Sequence, residues 1–192
     1  MPLLPALAFA RQLIEGRLKN GGRALDGTAG NGRDTLFLAQ LVGGNGKVWA
    51  FDIQAQALSN TAGLLRENGV EERVELIAAS HADLADYVRE PLDAAMFNFG
   101  YLPGGDKTVT TKADSSVRAI QAAAALLAES GLLTAVVYSG HPAGRAEAAA
   151  IEQWAAALPQ EQYQVLHYRF TNQRNHPPQL LAIEKRIRKP NR

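Results

Sequence analysis

Cysteine is absent from all 192 residues. That excludes disulfides, zinc–thiolate sites, iron–sulfur clusters and a cysteine nucleophile, and it fits a reducing compartment. Long apolar runs are missing too: no stretch approaches the roughly 20 residues of a membrane span. The apolar opening Met-Pro-Leu-Leu-Pro-Ala-Leu-Ala-Phe-Ala has no basic residue ahead of it and soon meets Arg11 and Glu15, unlike a secretory leader. A cytoplasmic protein without a membrane segment is therefore expected. Nor is there an excess of charge: 20 basic against 19 acidic side chains leave a net +1, so any basic surface has to be local. The cluster Lys185, Arg186, Arg188, Lys189 and Arg192 is local in this sense. It suits either phosphate pairing or a solvated terminus.

What is present is alternation. Apolar positions predict a covering helix over about 5–19, a strand at Arg23–Asp26, a helix over 34–42 and a strand at 47–52. A helix over 56–68, a strand at 74–78, a short helical segment near 84–88 and a strand at 93–98 follow. The alanine-rich stretch 117–128 predicts a helix, Gly131 a turn, 132–138 a fifth strand, and a helix runs on to about 158. The apolar runs 163–170 and 179–183 read as an antiparallel finish. The expected architecture is α/β: a Rossmann-like, doubly wound seven-stranded sheet, mostly parallel with an antiparallel C-terminal strand, in one domain over 1–192. Right-handed crossovers bring the strand ends Asp26, Asp52, Ser80-His81, Asn98 and Ser139-His141 to one edge, where ligands bind such sheets.

The stretch Arg23-Ala-Leu-Asp-Gly-Thr-Ala-Gly-Asn-Gly32 is the organising one, because a short strand ends in an acid and breaks into glycines before a helix. Gly30 and Gly32 allow positive φ and close approach of backbone to a ligand. A nicotinamide dinucleotide would call for G-x-G-x-x-G, and Gly30-Asn-Gly32-Arg33-Asp34-Thr35 lacks the third glycine. An acid followed three residues later by Gly-x-Gly fits S-adenosylmethionine better, with Asp26 placed to engage the ammonium group directly or through water. Asp52, 20 residues beyond Gly32, ends the next strand and suits two ribose hydroxyls, at roughly 1.5–3 kcal/mol per charged hydrogen bond. NAD enzymes use the same device, so Asp52 alone does not discriminate. His81 is either an adenine-side contact or a loop histidine in water, and Ser80 either touches the cofactor or caps a local helix.

Phe97-Asn98-Phe99-Gly100-Tyr101 carries the chemistry, since Asn98 ends the fourth strand beside the place of a transferable methyl group. Its amide oxygen can accept protons from a nitrogen nucleophile, and Tyr101 can stack on a flipped base. The loop resembles the Asn-Pro-Pro-Tyr segment of amino-group methyltransferases, with Phe99-Gly100 in place of the prolines.

Taken with Gly140-His141-Pro142 and Thr171-Asn-Gln-Arg-Asn-His-Pro-Pro178, these motifs resemble the YtqB/MnmM family of class I S-adenosylmethionine-dependent methyltransferases, over about Asp26 to Lys185. The resemblance implies methylation of the aminomethyl nitrogen of 5-aminomethyl-2-thiouridine at the tRNA wobble position, without a metal. It implies a cofactor site of Asp26, Thr28, Gly30, Asn31, Gly32, Asp34, Thr35, Asp52, Ile53, Gln54, Ser80, His81, Asn98 and Gly100. Asn98, Tyr101 and His141 are the catalytic candidates. Tyr101, Lys107, Arg145 and Arg174 are candidates for holding the tRNA anticodon stem-loop, with a homodimer as an open alternative to a monomer. Gly27 and Arg33 depart from the Ala and His expected in many relatives, and Arg33 is expected to face the crevice. Asp106, His141 and solvent all stay open as the base. The rival readings are an rRNA, small-molecule or protein amine methyltransferase, an NAD-dependent oxidoreductase, and a non-catalytic RNA-binding module.

Overall fold

The structure, a computed structural model, describes residues 2–100, 111–140 and 142–187. Helix α1 (Ala6–Glu15) precedes β1 (Arg23–Asp26), α2 (Arg33–Val42), β2 (Lys47–Asp52), α3 (Ala55–Glu67), β3 (Val74–Ala78), α4 (Leu84–Tyr87) and β4 (Leu92–Asn98). Then come α5 (Ala113–Leu126), β5 (Leu127–Val137), α6 (Pro142–Ala156), β6 (Tyr163–Tyr168) and β7 (Gln179–Lys185). The seven strands form one sheet in the order β3-β2-β1-β4-β5-β7-β6. β1 to β5 pair in parallel, while β7 runs antiparallel to both β5 and β6. The mostly parallel sheet with an antiparallel finish is as expected.

Alternation along the strands divides the core into two layers. Leu25, Trp49, Phe51 and Phe97 point to the side covered by α5 and α6, where they meet Ile120, Ala123 and Ile151. Ala24, Val48, Ala94 and Met96 point to the other side and meet Ile14, Leu38, Val42 and Leu65 of α1, α2 and α3. Such continuous burial is what a parallel sheet covered on both faces requires.

The expected boundary after the alanine-rich helix needs correcting. Helix α5 begins at Ala113 and stops at Leu126, and Leu127 already pairs with Leu92 at the start of a long strand. Alanine propensity yields there to tertiary pairing of a buried leucine. Gly131 lies inside β5 rather than in a turn, next to Ser130 at φ 62 and a register shift opposite Leu92/Ala94. A Cβ on Gly131 would come within 2.7 Å of the Leu92 carbonyl, so the irregularity needs glycine. Lys185, read with the basic tail, belongs to β7, and its ammonium caps α5 through the carbonyls of Ala125 (3.1 Å) and Leu127 (2.6 Å). The tail residues Arg188, Lys189 and Arg192 lie outside the described residues.

Strand order reverses between β1 and β4, which creates a topological switch point at their carboxyl ends. No helix among the described residues is long and apolar enough to cross a membrane.

Candidate active site

Register sets the heights of the three polar strand ends. Asp26 lies opposite Ala50 on β2 and Met96 on β4, so Asp52 and Asn98 each project two residues further. At about 3.3 Å per residue, Asp26 is more than 6 Å deeper than its neighbours. All three share one side of the pleat, the side covered by α1 and α2. A crevice of about 570 Å³ opens above them, a size suited to a nucleoside-containing ligand.

Among the expected cofactor residues, Thr28, Gly30, Asn31, Asp34, Asp52, Ile53, Gln54, Ser80, His81, Asn98 and Gly100 line this crevice, and Arg33 joins them. Asp26, Gly32 and Thr35 do not. Asp26 is fully buried beneath the loop: Oδ1 accepts the Thr28 N–H at 3.0 Å, and Oδ2 accepts the Thr35 hydroxyl at 2.6 Å. Its carboxyl thus holds the loop at Thr28 and the first turn of α2 at Thr35. Burial pushes its pKa up to about 7, reinforced by Asp34 and by Asp52, against the opposing bonds from Thr35 and Thr28. Gly32, at φ 79, turns the chain into α2 so close to α3 that a Cβ would stand 2.9 Å from the Thr61 Cα.

Asp52 is held by two backbone donors, Gly30 N–H to Oδ2 at 3.0 Å and Gln54 N–H to Oδ1 at 2.9 Å. Each oxygen keeps a second lone pair for a diol. Thr28 ties this half to the other, its hydroxyl accepting the Asn98 N–H at 2.8 Å. Asn98 Oδ1 and Thr111 Oγ1 are buried and have no hydrogen-bond partner among the described residues, although both residues line the crevice.

His81 sits at the edge of the Phe97 and Phe99 rings, whose centroids lie 6.5 and 5.7 Å away. Burial lowers its pKa, against the Gly27 carbonyl, Asp52 and Asp83, so the neutral ring prevails. Its Nε2 is buried and has no hydrogen-bond partner among the described residues. Ser80 accepts the Ala82 N–H at 3.2 Å as a cap, and it also lines the crevice.

Arg145 and Arg174 are exposed and stand outside the crevice lining. Tyr101, Asp106, Lys107 and His141 lie outside the described residues. Residues not foreseen are Leu7 and Arg11 from α1, Thr111, Lys112 and Ser115 before and within α5, and Tyr138 after β5. Their positions far apart in sequence, on elements with ordinary amphipathic patterns, carried no local signal. No group of three or more metal-ligating His, Asp or Glu occurs among the described residues.

A seven-stranded sheet of this order, with a glycine loop, an acid after β2 and a polar amide after β4, defines the fold and site of the class I methyltransferases. Residues 48–184 match the family described as "Putative rRNA methylase", and the chain belongs to that family. It is similar to a crystallised putative rRNA methylase from Clostridium thermocellum, 37% identical with a TM-score of 0.95 over 96% of this chain and 100% of that one. A putative methyltransferase from Streptococcus mutans, solved in complex with SAH, is 35% identical with a TM-score of 0.88 over 96% and 99% of the two chains. An Arabidopsis thaliana protein described as "tRNA (mnm(5)s(2)U34)-methyltransferase, chloroplastic" is 37% identical over 164 residues, which is 80% of this chain. The chain spans 60% of that relative's length.

Proposed function

We propose that the chain is an S-adenosylmethionine-dependent methyltransferase that methylates the exocyclic aminomethyl nitrogen of 5-aminomethyl-2-thiouridine at the wobble position of tRNA. The observation that carries this reading is Asn98 Oδ1, a buried acceptor at the end of β4 that lines the crevice and has no partner among the described residues. Leaving such a group unpaired costs about 1–3 kcal/mol, which a ligand N–H would offset. The tRNA methyltransferase from Arabidopsis supports the choice of acceptor.

The crevice residues fit the cofactor. Asp52 offers paired acceptors for the ribose diol, Gly30 at φ 54 brings backbone close, and the neutral His81 offers Nε2 to an amino donor on the adenine side. When bound, S-adenosylmethionine supplies a methyl group on a sulfonium, already activated for transfer. The protein's work is then alignment, worth about 7–11 kcal/mol in favourable cases. Asn98 accepts an N–H of the incoming amine and so turns its lone pair toward the methyl position. A simple alkylamine has a reference pKa of about 10.4, so the amine enters the reaction only after losing a proton. An acceptor oxygen with no charge does not hold the ammonium form as a carboxylate would.

The test incubates the protein with labelled S-adenosylmethionine and tRNA bearing either aminomethyl-thiouridine or unmodified uridine at the wobble position. Label in methylaminomethyl-thiouridine alone is expected. Cofactor binding with no label at that base would overturn the acceptor assignment, and label in free amines without RNA would favour a small-molecule enzyme.

A further inference from the structure

Helix α1 contributes to the crevice although it lies outside every motif from which the cofactor seat was read. It packs on the same side of the sheet as Asp26, Asp52 and Asn98, and its Leu7 and Arg11 line the crevice. Arg11 spans 23 residues to reach α2: Nε donates to Asp34 Oδ1 at 2.8 Å, and Nη2 lies 2.7 Å from the same oxygen. The guanidinium also stands 5.6 Å from the centroid of the Phe37 ring. These contacts fix one edge of the planar fork. Nη1, with two N–H donors, has no hydrogen bond among the described residues.

The charges of the crevice explain what such a fork is for. Its lining carries the carboxylates Asp34 and Asp52, with Asp26 beneath, and the cations Arg11, Arg33 and Lys112. Asp52, Ile53, Gln54, Ser80 and His81 occupy the β2–β3 end, which suits the ribose and adenine. The opposite end, at Thr28 to Asp34, is left for the amino-acid part of the ligand, whose carboxylate meets an acidic surround unless a cation intervenes. Arg33 and Lys112 are exposed, and no ion pair holds either among the described residues. Arg11 is pinned by Asp34, so little rotamer freedom is lost when it binds a carboxylate.

We propose that Arg11 receives the carboxylate of the cofactor's amino-acid end, which makes α1 a wall of the cofactor seat and Asp34 the residue that positions the guanidinium. This inference rests on the S-adenosylmethionine reading above. Titration calorimetry with S-adenosylhomocysteine and with 5′-methylthioadenosine separates the two, because the second ligand keeps the adenosine and thioether but lacks the amino-acid end. Arg11→Met is expected to weaken S-adenosylhomocysteine by about tenfold or more and to leave methylthioadenosine within about twofold. Methylthioadenosine binding also reports that the variant is folded. Should Arg11→Met fail to fold, Arg11→Lys, which keeps the charge but not the fork, is expected to lose about threefold to tenfold for S-adenosylhomocysteine only. Equal losses for both ligands, or none for S-adenosylhomocysteine, would overturn the role of Arg11. Failure of the unaltered protein to bind either ligand would overturn the cofactor reading itself.

Discussion

The two banks of the crevice are built on different terms. On the bank of β1, α2 and β2, the acids and loop are tied to one another: Asp26 to Thr28 and Thr35, Asp52 to Gly30 and Gln54, the Gly30 carbonyl to Thr61. On the bank of β4 and the segment before α5, Asn98 Oδ1 and Thr111 Oγ1 are buried without partners among the described residues. A bank whose groups already hold each other binds with little reorganisation. One that keeps unpaired acceptors is completed only by what it binds. Under the proposed function, the ribose end of the cofactor would meet a preformed seat at Asp52, and the methyl acceptor would complete the bank of Asn98.

The largest effect should come from separating these terms. Asn98→Ala is expected to slow methyl transfer about a hundredfold or more while S-adenosylhomocysteine affinity stays within a few-fold. Asp52→Ala should do the reverse, weakening the cofactor by about 1.5–3 kcal/mol, on the order of tenfold to a hundredfold, with single-turnover transfer at saturation far less affected. Calorimetry and single-turnover kinetics on the two variants check the pair. If both variants lose binding and rate in the same proportion, the banks are not distinct.

The seam between them offers a second, smaller break. Gly27 leaves β1 with its N–H bonded to the Met96 carbonyl of β4, and a Cβ there would lie 2.0 Å from Cε1 of Phe97. Phe97 is buried and stacked on Phe99 at 5.3 Å, so the ring has little room to retreat. Gly27→Ala should cost about 1–3 kcal/mol of stability through overpacking. Adding Phe97→Leu, which removes the clashing ring edge, should recover part of the loss. Thermal unfolding of the single and double variants measures the coupling, and purely additive losses would mean the seam is looser than its geometry.

The tied bank was also the legible one. Its residues sit close together in sequence, and a strand ending in an acid before Gly30-Asn-Gly32 announces a loop over a ligand, as Asp52 announces the next strand end. Depth was not legible, because the two-residue stagger that sinks Asp26 below Asp52 and Asn98 comes from strand pairing. Arg11 and Thr111 were hidden for a related reason. An arginine on an amphipathic helix reads as a solvated side chain until the fold brings Asp34 to it from 23 residues away. Lys185 likewise read as part of a basic tail until the sheet placed it under the end of α5.

The sunken Asp26 gives the finest test of the tied bank, and its sign follows from linkage. Its carboxyl titrates near pH 7 when folded, against about 4 in an unfolded chain, so between those values the folded state holds a proton that the unfolded state has released. Stability therefore falls as pH rises through this window, and the full benefit of the proton is present only below the unfolded value. Asp34 and Asp52 add to the shift, and Arg11 is paired with Asp34 rather than with Asp26. Between pH 6 and pH 7 the expected loss in unfolding free energy is about 1 kcal/mol for the ligand-free protein. Asp26→Asn, which keeps an acceptor for the Thr28 N–H and turns its amide N–H toward the Thr35 hydroxyl oxygen but cannot ionise, should flatten that dependence. Urea unfolding at closely spaced pH values resolves the difference, and an unchanged slope in the variant would place the titrating group elsewhere.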